Sequence, residues 1–267
     1  VMPPMFAAMQ SIYANQAFAS ILLTNIEKST IQDLRVSFFQ PVYMDTPTPS
    51  SVVPTLEPGE SVEVPLFASY NREVFLTNGI TPLAGEIIAE YIMNGNPAKQ
   101  LISVTYDLHD RNAITWDDDR KVAAFVTPSD SAIRNYASYI RTTLRSATND
   151  YIPGPLQSAM QTYIALAEQG LLYQIDPGSP FAAAQETPLF VDSVSLPRET
   201  ITRITGDCDD ISVLFNTLLE SVGVETAFVT VPGHIYCAVN TKVPVSQHHL
   251  VHPDRGVTVV LDDTCLL

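Results

Sequence analysis

Positive charge is scarce in this chain. Lys and Arg number 14 against 29 Asp and Glu, for a formal net charge of -15. No basic stripe runs along any segment. That excludes nucleic-acid binding through phosphate contacts and attraction to an anionic membrane surface; the surplus acid reads as a source of solubility. Long apolar runs are missing too. No stretch reaches the ~18 residues of a membrane-crossing helix, although 46% of the 267 residues are hydrophobic, enough for a real core. The opening residues, Val1-Met2-Pro3-Pro4-Met5-Phe6, lack the basic and long apolar regions of an intact signal peptide. The absence of a starting Met is consistent with a sequence that begins after one.

Cysteine is sparse, with three in all. The odd count leaves at least one thiol free. Cys208 is the natural free one; Cys237 and Cys265 are read as buried thiols, with a single bridge between them as the alternative. The count alone does not fix the redox compartment. The one tryptophan, Trp116, has no cysteine pair around it, which excludes an antibody-type disulfide core. No internal repeat is visible.

The first 125 residues read as mostly β. Residues 19–25 and the alternating 34–39 predict strands, and a Pro- and Ser-rich loop follows at 45–51. Residues 56–66 join a turn to an alternating strand, and 85–92 and 102–106 predict two more. Short strands with frequent turn signals predict an all-β, immunoglobulin-like sandwich over 1–125. The pattern changes near Thr127. Ser129 or Asp130 is placed to cap a helix whose face is Ile133, Tyr136, Ala137 and Ile140, with Tyr139 and its neighbours read as packing on the core. A second helix is predicted over 156–169 with Gly170 as its stop, then a turn at Asp176-Pro177-Gly178-Ser179-Pro180. Helices first and strands afterwards predict an α+β domain over 126–267.

The most informative segment is Gly206-Asp207-Cys208-Asp209-Asp210-Ile211. It opens a helix whose apolar face is Ile211, Leu214, Phe215, Leu218 and Val222, with Gly223 as the stop. A thiol at a helix N-terminus feels the positive end of the macrodipole, which favours the thiolate. Residues 226–231 predict a strand, Pro232-Gly233 a turn, and 234–239 a second strand led by His234. Such a return places a histidine where it can take the thiol proton. Asp209 and Asp210 suit the first helical turn, yet as like charges they oppose the thiolate.

These segments resemble the transglutaminase-like superfamily, particularly its bacterial cysteine-peptidase-like members. The resemblance is carried by Leu196-Pro197-Arg198-Glu199-Thr200, by 206–214, by Leu219-Glu220-Ser221-Val222-Gly223-Val224, and by Val231-Pro232-Gly233-His234-Ile235-Tyr236. It covers roughly 127–267 and implies a papain-like transglutaminase core. It implies Cys208 as nucleophile, His234 as general base, a protein or peptide substrate, and no cofactor or metal. The family places an acid on the strand after the histidine strand. Asp262, in Val259-Val260-Leu261-Asp262-Asp263-Thr264, is the candidate, and an acid beyond Leu267 the alternative. The expected function is thiol-dependent acyl transfer on amides, ending in hydrolysis or in transfer to an amine. The rival is a non-catalytic binding or scaffold protein with a degenerate transglutaminase-like domain. An extracytoplasmic location is expected by association, because adhesive sandwich domains commonly accompany exported enzymes.

Two further clusters have plainer readings. His248, His249 and His252 with Asp254 hold metal-ligand types, but adjacent loop histidines read as solvated. Asp117-Asp118-Asp119 lacks the glycine and distal glutamate of a calcium loop and reads as a solvated turn.

Overall fold

The computed structural model describes residues 2–175 and 190–267. The turn expected at 176–180 lies outside the described residues. The chain divides into two compact units at Ala113/Ile114, so the composition change near Thr127 falls inside the second.

The first unit is built around one long hairpin. Strands β1 (Met5–Phe6), β2 (Ala19–Thr24), β3 (Ile31–Phe39), β4 (Thr48–Pro49), β5 (Val53–Leu56) and β6 (Ser61–Leu66) precede β7 (Ile80–Met93) and β8 (Asn96–His109). β7 and β8 pair without a break over 14 residues each. Asn94 and Gly95 close them, both at positive φ (51° and 77°), the two-residue turn whose twist matches the strands. β3 pairs antiparallel with β7, and its alternation turns Leu34, Val36 and Phe38 inward. At Gly85 on β7 an added Cβ would lie 2.9 Å from the Phe38 ring, so the sheet needs glycine there.

The sandwich expectation is corrected by the strand pairing. An immunoglobulin-type fold has two comparable antiparallel sheets. Here a six-stranded sheet, in the order β1-β8-β7-β3-β4 with β5 also on β3, stands beside a lone β2–β6 ribbon. β1 pairs parallel to β8, so the larger sheet is mixed. The physical reason is length: fourteen-residue strands offer enough ladder to recruit nearly every short neighbour into one sheet.

The second unit holds β9 (Ala113–Thr115), α1 (Ser131–Thr143), α2 (Gly154–Glu168), β10 (Leu172–Tyr173), β11 (Val191–Ser193), α3 (Pro197–Arg203), β12 (Thr205–Gly206), α4 (Cys208–Glu220), β13 (Thr226–Val231), β14 (His234–Pro244), β15 (Val259–Leu261) and β16 (Thr264–Leu266). Asp130 caps α1, accepting from the Ala132 amide at 2.8 Å, and Arg198 clasps its carboxylate from α3. Gly170, at φ +84°, ends α2, and the Leu171 amide closes back on the Leu166 carbonyl. Leu214 and Leu218 of α4 pack on Ile133, Ala137 and Leu166 in the unit's core. Tyr139, expected in that core, is 63% exposed.

The expected papain-like α+β core is likewise corrected. Helices and strands are not segregated: β10, β11 and β12 fall between the helices and form two separate two-stranded ladders, β10–β12 and β9–β11. A four-stranded sheet, β13-β14-β16-β15, follows α4. The result is a mixed, β-rich fold. Two-residue strands carry almost no periodic signal, so the sequence pattern passes over them.

Candidate functional site at the head of helix α4

α4 begins at Cys208. Asp207 is its N-cap, accepting from the Asp210 amide at 3.5 Å, and Asp209 Oδ1 takes the same amide at 2.8 Å. Gly206 has no room for a side chain, since a Cβ there would lie 2.6 Å from Asp210 Cβ. Ile204 bends the chain into β12 from a left-handed conformation (φ 57°), costly for a β-branched residue. β10 then pairs parallel with β12 and sets Tyr173 opposite Gly206.

β14 arrives beside this helix head. Ser212, one turn after Cys208, donates to the Ile235 carbonyl at 3.3 Å, and the Cys237 thiol meets the Ser212 carbonyl at 3.3 Å. The Ile235 and Asp209 backbone amides stand close enough to the Cys208 sulfur to favour its thiolate, and Tyr173 lies beside it. The structure therefore brings the start of β14, where His234 stands, against the thiol. The His234 ring is exposed, tilts toward Tyr236 with centroids 6.1 Å apart, and makes no hydrogen bond to Cys208.

Asp262 is not brought to them. Asp262 and Asp263, at φ 48° and 60°, form the exposed turn between β15 and β16. β16 pairs Thr264 with Pro244, the far end of β14 from His234. A fully extended strand rising ~3.3 Å per residue would put that end up to about 33 Å from His234, and the bulge before Pro244 with Lys242 at φ 58° shortens the span. The β15–β16 turn spends the Asp262 position on reversing the chain.

The electrostatics of the helix head are governed by carboxyl groups. Cys208 is 7% exposed. Burial pushes its thiol up to about 11; the charges of Asp209 and Asp207 push the same way, and the Ile235 amide opposes them. Asp209 is 1% exposed, and burial with the neighbouring Asp207 carboxyl holds its own carboxyl well above the usual range. Asp210 accepts from the Ser195 amide at 2.6 Å and hydroxyl at 3.1 Å, yet burial lifts it to about 6. Asp192, buried on β11, accepts from the Trp116 indole at 2.8 Å and adds to the pressure on Asp209. One oxygen from each of Asp207, Asp209 and Asp210 lies within 4.8 Å of the others. These oxygens are engaged with one another, with backbone amides and with Ser195, and serve as the buttress of the helix head.

The remaining candidates resolve simply. All three cysteines are free. His252 Nδ1 accepts from the Asp254 amide at 3.1 Å, and His248 meets His249 edge-on, so the loop histidines do not converge as ligands. Asp117 and Asp118 pair with Lys121 and Arg120 in a surface turn. Tyr173, Asp192 and Ser195 were invisible as site residues in the sequence, because they reach the helix head from two short segments, β10 and the stretch around β11, that carry no motif.

No family model and no curated protein matches the chain. Among solved structures, it is similar to a chain in the complex of the CsuC chaperone and CsuE tip adhesion subunit from archaic chaperone-usher Csu pili of Acinetobacter baumannii. The match has 17% identity and a TM-score of 0.22, covering 46% of this chain and 56% of that one. The chain thus spans little more than half the length of that neighbour, and a likeness at this level says nothing of fold or function.

Proposed function

We propose that the chain performs thiol-dependent acyl transfer on amide bonds of a protein or peptide, with Cys208 as nucleophile and His234 as general base. The observation that supports it is the meeting of the α4 head with the start of β14, where the Ile235 amide faces the Cys208 sulfur. The resemblance of 127–267 to the transglutaminase-like superfamily agrees with it. A thiol held near 11 is neutral at rest, so His234 acts as a serine enzyme's histidine does, taking the proton as the bond forms. The Cys208 sulfur bonds to the amide carbon, and the thiol proton passes through His234 to the departing amine as the C–N bond breaks. Water or a second amine then opens the thioester and restores the thiol. Such chemistry on exported or surface proteins fits an extracytoplasmic setting.

A second reading, a non-catalytic scaffold, is favoured by the elevated thiol and the outward His234 ring. Incubation with glutamine-rich and backbone-amide peptides, read by mass spectrometry for a hydroxylamine-labile adduct, separates the two. The enzyme reading expects an adduct on Cys208 that vanishes in Cys208→Ala and His234→Ala, with melting temperatures near wild type. No adduct on any peptide supports the scaffold, and an adduct that survives His234→Ala removes the histidine from the mechanism.

A further inference from the structure

A cavity of about 890 Å³ opens within the second unit, between the C-terminal half of α1, the first half of α2 and the end of α4. It is remote from the thiol: Leu218 lies ten residues along α4 from Cys208, about 15 Å at ~1.5 Å per residue. Ala137, Ile140, Leu218 and Val224, all buried, form its apolar side. Arg141, on the last turn of α1, and Arg145, just past its end, line it too. Both are exposed, and among the described residues neither guanidinium has a hydrogen-bond or ion-pair partner. No Asp or Glu among the described residues lines the cavity. Acids outnumber bases 29 to 14 in this chain, and Arg35, Lys99, Arg120, Lys121, Arg198 and Lys242 each hold a carboxylate. Arg141 and Arg145 instead stand at i, i+4, where like charges repel. Gly154, the first residue of α2, shares the lining, and its N-cap Pro153 brings no capping side chain, so the helix start adds the same sign. The neutral groups do not choose a sign. Gln157 accepts from the Asn149 amide at 2.6 Å and keeps its Nε2 as a donor, whereas Gln161 gives Nε2 to the Leu144 carbonyl at 3.2 Å and keeps Oε1 as an acceptor. The selection comes from the two uncompensated guanidiniums.

We propose that this cavity binds a small organic anion with an apolar body, a phosphate monoester or a carboxylate. The guanidinium fork matches the oxygens of either group, and an anion held by both arginines removes their mutual repulsion. The apolar side then takes the body of the ligand, and the volume is that of a small-molecule site. The site does not depend on the thiol chemistry proposed above.

The test is an NMR titration of the full, ¹⁵N-labelled chain at low salt with phenyl phosphate and phenylacetate, against 2-phenylethanol and 2-phenylethylammonium. The expected result is saturable shifts of the Gly154 amide and of the Arg141 and Arg145 Nε–H groups. Phenyl phosphate, with the larger charge, should bind about fivefold tighter than phenylacetate, and the ammonium should be silent. The reverse order of the two anions would assign the site to carboxylates. Inorganic phosphate, which lacks the apolar body, should bind about tenfold more weakly than phenyl phosphate. The double variant Arg141→Gln, Arg145→Gln should weaken phenyl phosphate about tenfold or more, while Arg141→Lys, Arg145→Lys keeps the charge and loses about threefold. Melting temperature and Cys208 alkylation should stay near wild type in both. No saturable shift at millimolar anion, equal response to the ammonium, or binding that survives the double Gln variant would each overturn the proposal.

Discussion

At the residue scale, Cys208 shows which of two opposed effects wins. A helix N-terminus lowers a thiol pKa, but the effect is confined to the first turn and weakens as carboxylates share it. Here burial and the charges of Asp209 and Asp207 outweigh it and hold the thiol at about 11. The alkylation rate of Cys208 by iodoacetamide should therefore keep climbing as pH rises toward about 11. Asp209→Asn, which removes the larger of the two like-charge effects, should shift that profile to lower pH and speed alkylation at pH 9 severalfold. Mass spectrometry of the modified peptide measures both. A rate already level at neutral pH would mean a preformed thiolate–imidazolium pair and a different mechanism.

At the scale of elements, the two glycines flanking helix starts behave oppositely. Gly206 is pressed against Asp210, so Gly206→Ala should cost about 1–3 kcal/mol by overpacking and displace the Cys208 turn. Gly154, the first residue of α2, has nothing within 4 Å of an added Cβ. Gly154→Ala should leave stability unchanged or raise it by up to ~1 kcal/mol. Thermal unfolding of both variants tests the pair; equal destabilisation would sink the account. α4 itself was legible, since Leu214 and Leu218 recur on its buried face and Gly223, at φ +82°, ends it. Its other face was not legible. Ser212, Asn216 and Thr217 are buried although polar, because β13, β14 and a neighbouring turn of α4 supply their hydrogen-bond partners. No periodicity announces a polar face that is buried against backbone.

At the scale of the whole molecule, the acid excess is unevenly placed. Most carboxylates sit at the surface, but Asp192, Asp207 and Asp209 are buried, and Asp210 beside them is largely enclosed. Asp209 and Asp210 bind protons more tightly folded than unfolded. Their contribution to stability is therefore complete below the ordinary carboxyl value of 3.8 and is lost as pH rises through about 6 for Asp210, and higher for Asp209. The surface ion pairs act the other way: Asp118, held at about 2 by Arg120, and Asp130, lowered by Arg198, lose their small contributions only as pH falls below 3.8. The second unit should melt at higher temperature at pH 5 than at pH 8, and Asp209→Asn should flatten that slope. Calorimetry across this range checks it; a melting temperature that rises from pH 5 to pH 8 would contradict the buried carboxyl cluster.

The sequence by itself determined the scarcity of cations, the hairpin from Thr226 to Val239, and the helix that starts at Cys208. All are local: they follow from composition, spacing of apolar residues and glycine stops within one stretch of chain. No helix among the described residues is long and apolar enough to cross a membrane, as the missing apolar runs required. Only the tertiary structure decided how strands divide between sheets, that Asp262 turns the chain at the wrong end of β14, and that Cys208 lies buried among carboxyl groups. Those outcomes depend on pairing register and on desolvation by segments distant in sequence. Tyr173 on β10 and Asp192 with Ser195 at and just after β11 lie far from Cys208 in sequence, and only folding brings them to the head of one helix.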